Sequence, residues 1–186
     1  MLKWLWVSIL VVFFDQLTKW MAEAQIEGAK YVNGAMIEPA EIIPVFPHFN
    51  LTLAYNYGAA FNMLGDQNGW QRWFFAILAL VVSGLIVLWI RKLKNNETWT
   101  AIALALVLGG AVGNLIDRVM YGRVIDFIDF YINFKLPLLS QWQDGFWHFA
   151  TFNVADIAIT LGATILVFIS LFHNEDEPEK IKPRVL

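Results

Sequence analysis

Two runs of eighteen residues without a charge, 73–90 and 99–116, constrain this chain more than any other feature in it. At ~1.5 Å per residue each would make a helix about 27 Å long, close to the ~30 Å thickness of a bilayer's hydrocarbon core. Backbone in that core has no water to bond, so an unbroken apolar run crosses it as a helix. Two further apolar runs, 4–24 and 152–172, have the same character, and the second contains a single charged residue, Asp156. A chain that is 58% hydrophobic, with nine Trp and fifteen Phe, exceeds what a soluble core needs. The expected fold is an all-α membrane protein, one integral domain over 1–186, with four spans at about 4–24, 73–90, 99–117 and 152–172.

Several function classes drop out early. The net charge is −3 and no basic stripe tracks a phosphate backbone, which argues against nucleic acid as a partner. There is no cysteine, so thiol nucleophiles, disulfides and Cys metal sites are excluded. His48, His148 and His173 are scattered, without HExxH spacing, and neither a metal nor another cofactor is expected. Residues 4–14 could pass for the core of a cleavable signal peptide, with Ala22-Glu23-Ala24 as the cut site. Asp15, Gln16, Thr18 and Lys19 intervene, so the segment reads as a retained span. Arg91-Lys92-Leu93-Lys94 marks the cytoplasmic side. That puts the 91–98 loop, the 174–186 tail and both termini inside, and the loops 28–71 and 118–148 outside.

The long outer loop 28–71 alternates over 50–55 as a half-buried strand does, and Asn56-Tyr57-Gly58 signals a turn. Phe46, Phe49, Phe61, Trp70 and Trp73 suit either an aromatic belt on the headgroups or the loop's own small core. In the first span Asp15, Thr18 and Lys19 share a helix face, so Asp15 can pair with Lys19. Counted from Lys3, Asp15 lies about 18 Å into the membrane, and an orienting ion pair is favoured there over a catalytic role. Gly109 and Gly113 form a GxxxG that lets a neighbouring helix approach closely.

The other acids meet at one depth. Eighteen residues outward from Trp99 bring Asp117 to the outer edge of the core, and counting back from Phe172 brings Asp156 to nearly the same plane. Asn114, Asp117 and Arg118 share one helix face, as do Asn153 and Asp156. Asp126 and Asp129 lie just beyond, where a turn through Gly122 can fold them back. Two carboxylates a few ångströms apart cannot easily both ionise, and the pair then holds one proton near neutral pH. That is the state in which one carboxylate activates water while the other polarises a peptide carbonyl. Ser8, Ser83, Ser140 and Ser170 include no GxSxG, so a serine mechanism is disfavoured. Spacing alone leaves Asp117 as good a candidate as Asp126. It also leaves open an ion-pair network of Arg118 with Asp117, or a proton-coupled transporter or channel using the same acids, although no repeated halves are visible.

At these residues the chain resembles the lipoprotein signal peptidases (signal peptidase II). The likeness rests on Phe14-Asp15-Gln16-x-Thr18-Lys19, Asn56-x-Gly58-Ala59-Ala60-Phe61, Gly109-Gly110-x-x-Gly113-Asn114-x-x-Asp117-Arg118, Val124-Ile125-Asp126-Phe127 and Phe152-Asn153-x-Ala155-Asp156. The resemblance implies an intramembrane aspartyl endopeptidase of the bacterial inner membrane, with Asp126 and Asp156 as the catalytic pair near the periplasmic face. It implies supporting or substrate-binding roles for Asp15, Lys19, Asn56, Gly58, Asn114, Asp117, Arg118, Asn153 and Ala155, and a small β-sheet cradle in the first outer loop. Its implied partners are diacylglyceryl-modified prolipoproteins, membrane lipid and the inhibitor globomycin, with the enzyme acting as a monomer. The stretch through Pro137 to Trp147 is where such chains are expected to vary.

Overall fold

The computed structural model describes residues 1–32, 35–58, 69–132, 147–148 and 150–172. Ala59, Ala60, Phe61, His173, the 174–186 tail and nearly all of the stretch expected to vary lie outside the described residues. Among the described residues, four helices are long and apolar enough to span a membrane. They are α1 (Leu5–Gln25), preceded by a single 3-10 turn, α2 (Trp70–Lys92), α3 (Thr98–Tyr121) and α4 (Val154–Phe172). Between α1 and α2 come β1 (Lys30–Val32), β2 (Ala35–Glu38), β3 (Ile42–Phe46) and β4 (Phe49–Asn56). After α3 come β5 (Val124–Ile132) and β6 (Trp147–His148).

Helix α3 is the hub, packed against α1, α2 and α4. Small residues make this possible. A Cβ at Gly109 would stand 2.7 Å from Val11, one at Gly110 would strike the carbonyl of Ala155, and one at Gly162 would come 2.5 Å from the carbonyl of Ala103. The GxxxG expectation is met, with Gly109 and Gly113 facing α1 and Gly110 facing α4. Ser8 adds a buried hydrogen bond to the Ala105 carbonyl, 2.6 Å long. Towards the C-terminal end of α2, Ile86, Ile90, Leu104 and Leu108 form one core cluster.

The expected outer-loop sheet is present, and it reaches further than that loop. Strands β1 and β2 form a separate hairpin, while the main sheet runs in the order β3-β4-β5-β6, all antiparallel. Its third strand, β5, comes from the segment after α3 and aligns Ala54 with Asp126 and Asn50 with Asp129. The register shifts between Leu51 and Ala54, which breaks the simple alternation expected for this strand. Ile125, Phe127 and Ile128 of β5 bury against Leu53 of β4 and against Ala22 and Ile26 at the end of α1, joining the sheet to the helices. The aromatic cluster divides: Phe46 stacks on Phe49, and Phe49 meets Phe130 of the sheet at a tilt, whereas Trp70 and Trp73 stand exposed at the start of α2.

Candidate active site

The turn after α3 decides where Asp126 goes. Gly122 ends the helix in the left-handed region, at φ 77°, and its N–H donates to the Arg118 carbonyl. A left-handed helix end of this sort suits glycine, which bears no Cβ penalty there. The chain enters β5 two residues later, so Asp126 returns towards the helix end it has just left. Arg72, at the start of α2, holds that end by donating to the carbonyls of Arg118 at 2.7 Å and Val119 at 2.6 Å.

A second local device delivers Asp156. The Phe152 backbone pairs with Ile128 of β5, which sets Asn153 beside Asp126. Asn153 and Asp156 then form a reciprocal cap on α4. The Asp156 N–H donates to Asn153 Oδ1 at 3.0 Å, and the Asn153 N–H donates to Asp156 Oδ2 at 3.2 Å. Two of the helix's unsatisfied donors are met in this way. The Asn-x-x-Asp spacing that marks one helix face in sequence is therefore also a capping motif.

These elements enclose a cavity of about 330 Å³, lined among others by Asn56, Asn114, Arg118, Asp126, Phe152 and Asp156. Asn153 Nδ2 reaches Asp126 Oδ1 at 2.7 Å, and Asn114 Nδ2 reaches Asp156 Oδ1 at 2.8 Å. Burial and the facing Asp156 carboxylate push the Asp126 carboxyl from 3.8 up to about 7, against the opposing pull of Asn153, Asn56 and Lys19. A larger apolar groove between α1 and α2, of about 1020 Å³, is lined by side chains such as Ile9, Val12, Leu80 and Leu88 and contains no acid or base. It lies at lipid depth and has nothing with which to activate water.

Behind the cavity sits a fully buried charge cluster. Lys19 Nζ lies 2.8 Å from both Asp15 Oδ2 and Asp117 Oδ2 and donates to Asn114 Oδ1 at 3.0 Å. The expected Asp15–Lys19 pair is present, and the partner of Asp117 is Lys19, where spacing had suggested Arg118. Asp117 also accepts the Ile125 N–H at 3.1 Å, tying β5 to α3. Asp15 Oδ1 accepts the Ala155 N–H at 2.9 Å, so Ala155 contributes its backbone there, and its own side chain is buried. Gly113 has no side chain for a reason beyond packing: a Cβ would stand 2.6 Å from Asp15 Oδ2.

Arg118 points instead to the cavity mouth. It donates to the Asn114 carbonyl at 3.3 Å and to the Gly58 carbonyl at 3.0 Å, and stacks over Phe75. Gly58 is itself set by a turn in which its N–H donates to Asn56 Oδ1. Asp129 stands apart, accepting from Asn50 Nδ2 at 2.9 Å across the sheet.

Sequence reasoning passed over two contributors. Gln16 donates to Asp117 Oδ1 at 2.8 Å and to the Gly113 carbonyl at 3.2 Å, but i, i+4 logic ignores a residue one place from Asp15. Its place inside the polar run 15–19 was the available signal. Arg72, which directly precedes the uncharged run 73–90, is the other.

A family model described as signal peptidase (SPase) II matches residues 7–172. Lipoprotein signal peptidases of Pseudomonas aeruginosa (strain UCBPP-PA14) and Pseudomonas fluorescens (strain Pf0-1) are each 46% identical to this chain. The matches cover 96% and 97% of it, and 92% and 93% of those proteins. A solved bacterial membrane enzyme structure superposes with a TM-score of 0.73 at 27% identity, covering 96% of this chain and 94% of the other. With matches of this extent, and with Asn56, Asn114, Arg118, Asp126 and Asp156 lining one cavity, the chain belongs to the signal peptidase II family.

Proposed function

We propose that this protein is an aspartic endopeptidase that removes the signal peptide from diacylglyceryl-modified prolipoproteins, cutting just before the lipidated Cys, with Asp126 and Asp156 as the catalytic pair. The observation that carries the reading is that these two carboxyls line one polar cavity, bridged through Asn153, with Asp126 pushed up to about 7. A pair in that condition keeps one proton at neutral pH. The ionised member takes a proton from water as the water oxygen attacks the scissile carbonyl carbon, and the protonated member gives its proton to the carbonyl oxygen. When the tetrahedral diol collapses, the C–N bond breaks and the first carboxyl returns its proton to the leaving nitrogen. The second recovers its proton from the diol hydroxyl. No cofactor enters this chemistry.

A substrate that is itself a membrane helix suits the site's position at the ends of α3 and α4. Its acyl chains can remain in lipid while an unwound stretch reaches the pair. Lys19, Asp15 and Asp117 hold the scaffold, while Arg118, Asn56 and Gly58 face the incoming peptide. Arg91 and Lys92 at the end of α2 support, by the positive-inside rule, a reading with both termini cytoplasmic and the cavity at the periplasmic face of the inner membrane. The enzyme acts as a monomer.

The test mixes purified protein with a diacylated prolipoprotein and with its Cys→Ala counterpart, each with and without globomycin, and reads cleavage by gel shift. Only the lipidated form should be cut, and the inhibitor should block it. Asp126→Asn and Asp156→Asn should each remain folded and lose at least about a thousandfold in kcat, on the order of 4 kcal/mol of transition-state stabilisation. Near-normal cleavage by either variant would overturn the assignment.

A further inference from the structure

The two carboxyls occupy unequal surroundings, and the inequality distinguishes their roles. Asp156 belongs to the first turn of α4, where the helix dipole favours a negative charge. One of its oxygens accepts a backbone N–H of that same cap and the other accepts Asn114 Nδ2. It is partly open to the cavity, which Arg118 also lines. Asp126 sits on a strand and is 2% exposed. The groups it faces are Asp156 from α4, Lys19 from α1, Arg118 from α3 and the amides of Asn153 and Asn56.

The Asn114 amide is locked in orientation. Its Oδ1 accepts from Lys19 Nζ at 3.0 Å and from Asn153 Nδ2 at 3.1 Å, so only the NH2 end can be turned to Asp156. A flipped amide would set its NH2 against an ammonium and a second NH2, three donors with no acceptor between them.

We propose that Lys19 and Asn153, by fixing the Asn114 amide as a donor, make Asp156 the ionised member of the pair and leave the shared proton on Asp126. Asp156 is then the group that takes the proton from water and later delivers it to the leaving nitrogen. Asp126 protonates the carbonyl oxygen and recovers its proton from the diol. Asn114, Asn153 and Lys19 are positioning residues in this scheme. The inference rests on the reading of Asp126 and Asp156 as the catalytic pair.

Asn114→Leu and Asn114→Ala test it through the pH profile of kcat/KM, which has an acid limb for the first proton lost by the pair and an alkaline limb for the second. If Asp156 is ionised in the active form, the Asn114 donor stabilises both the singly and the doubly ionised states. Its removal then raises the acid limb by roughly one to two units and leaves the alkaline limb in place. If the proton sits on Asp156 instead, the alkaline limb rises and the acid limb stays, which overturns the proposal. Unmoved limbs with a uniformly lower rate would likewise overturn it, since a merely structural loss does that. NMR titration of the wild-type protein carrying carboxyl-labelled aspartate gives the answer even if both variants misfold. Asp126 must be the later of the two to ionise, and the reverse order sinks the idea. Should Asp126→Asn or Asp156→Asn cleave normally, the catalytic reading itself fails, an outcome distinct from either limb shift.

Discussion

Lys19 shows how much one residue can carry in a low-dielectric interior. Its ammonium is 2% exposed and lies against two carboxylates that are themselves fully buried. Removing one member of such a cluster leaves uncompensated charge, which costs about 3–5 kcal/mol. Lys19→Met should therefore lower the melting temperature in detergent well below that of Lys3→Met, whose parent lies at the membrane edge. Equal melting temperatures would mean that the cluster is not buried as described. Asp126 makes the complementary case. Its folded value of about 7 lies above the ordinary 3.8, so the folded state holds that proton more tightly than the unfolded chain does. The stability this contributes is complete below pH ~4 and is lost as pH rises through ~7. The wild-type melting temperature should fall between pH 5 and pH 8, and Asp126→Asn should reduce that fall. An unchanged slope would count against a raised Asp126.

Among the elements, α3 is the one whose surface cannot be altered freely. A Cβ at Gly113 would press on Asp15, displacing it from Lys19 and from the Ala155 N–H, whereas a Cβ at Gly84 of α2 meets nothing within 4 Å. Gly113→Ala should then cost at least about 2 kcal/mol, as overpacking and broken buried pairing do. Gly84→Ala should be neutral or gain up to about 1 kcal/mol from helix propensity. Thermal unfolding of the two variants side by side checks the contrast. The end of α3 depends on Arg72 in a similar way. Arg72→Met leaves the Arg118 and Val119 carbonyls without their side-chain donor, and it should lower kcat about tenfold or more by loosening the turn that places Asp126. Cleavage kinetics at saturating substrate read this directly, and an unchanged kcat would remove Arg72 from the positioning network.

At the scale of the whole molecule, four helices and a four-stranded sheet converge on one point. The sheet draws strands from the segments before α2 and after α3, and β5 pairs with Phe152, which lines the cavity. Much of this is legible in the chain itself. Apolar runs long enough to cross a bilayer dictate helices, because hydrocarbon offers backbone groups no other partner. Rise per residue places Asp117 and Asp156 at one depth, and helical spacing pairs Asp15 with Lys19. Those are local rules, fixed by the covalent chain and its solvent. What they leave open is which acids face each other. Asp117 and Asp126 are nine positions apart and equally eligible by depth. Only the left-handed turn at Gly122, the register of β5 on β4 and the Phe152 bridge turn Asp126 towards Asp156 while Lys19 claims Asp117. Apart from the turn itself, those contacts join residues 24 to 98 positions apart, as the Phe152 bridge to Ile128 and the Lys19 pair with Asp117 show. No periodicity encodes such pairings, because they follow from how helices and strands pack once all of them are in place.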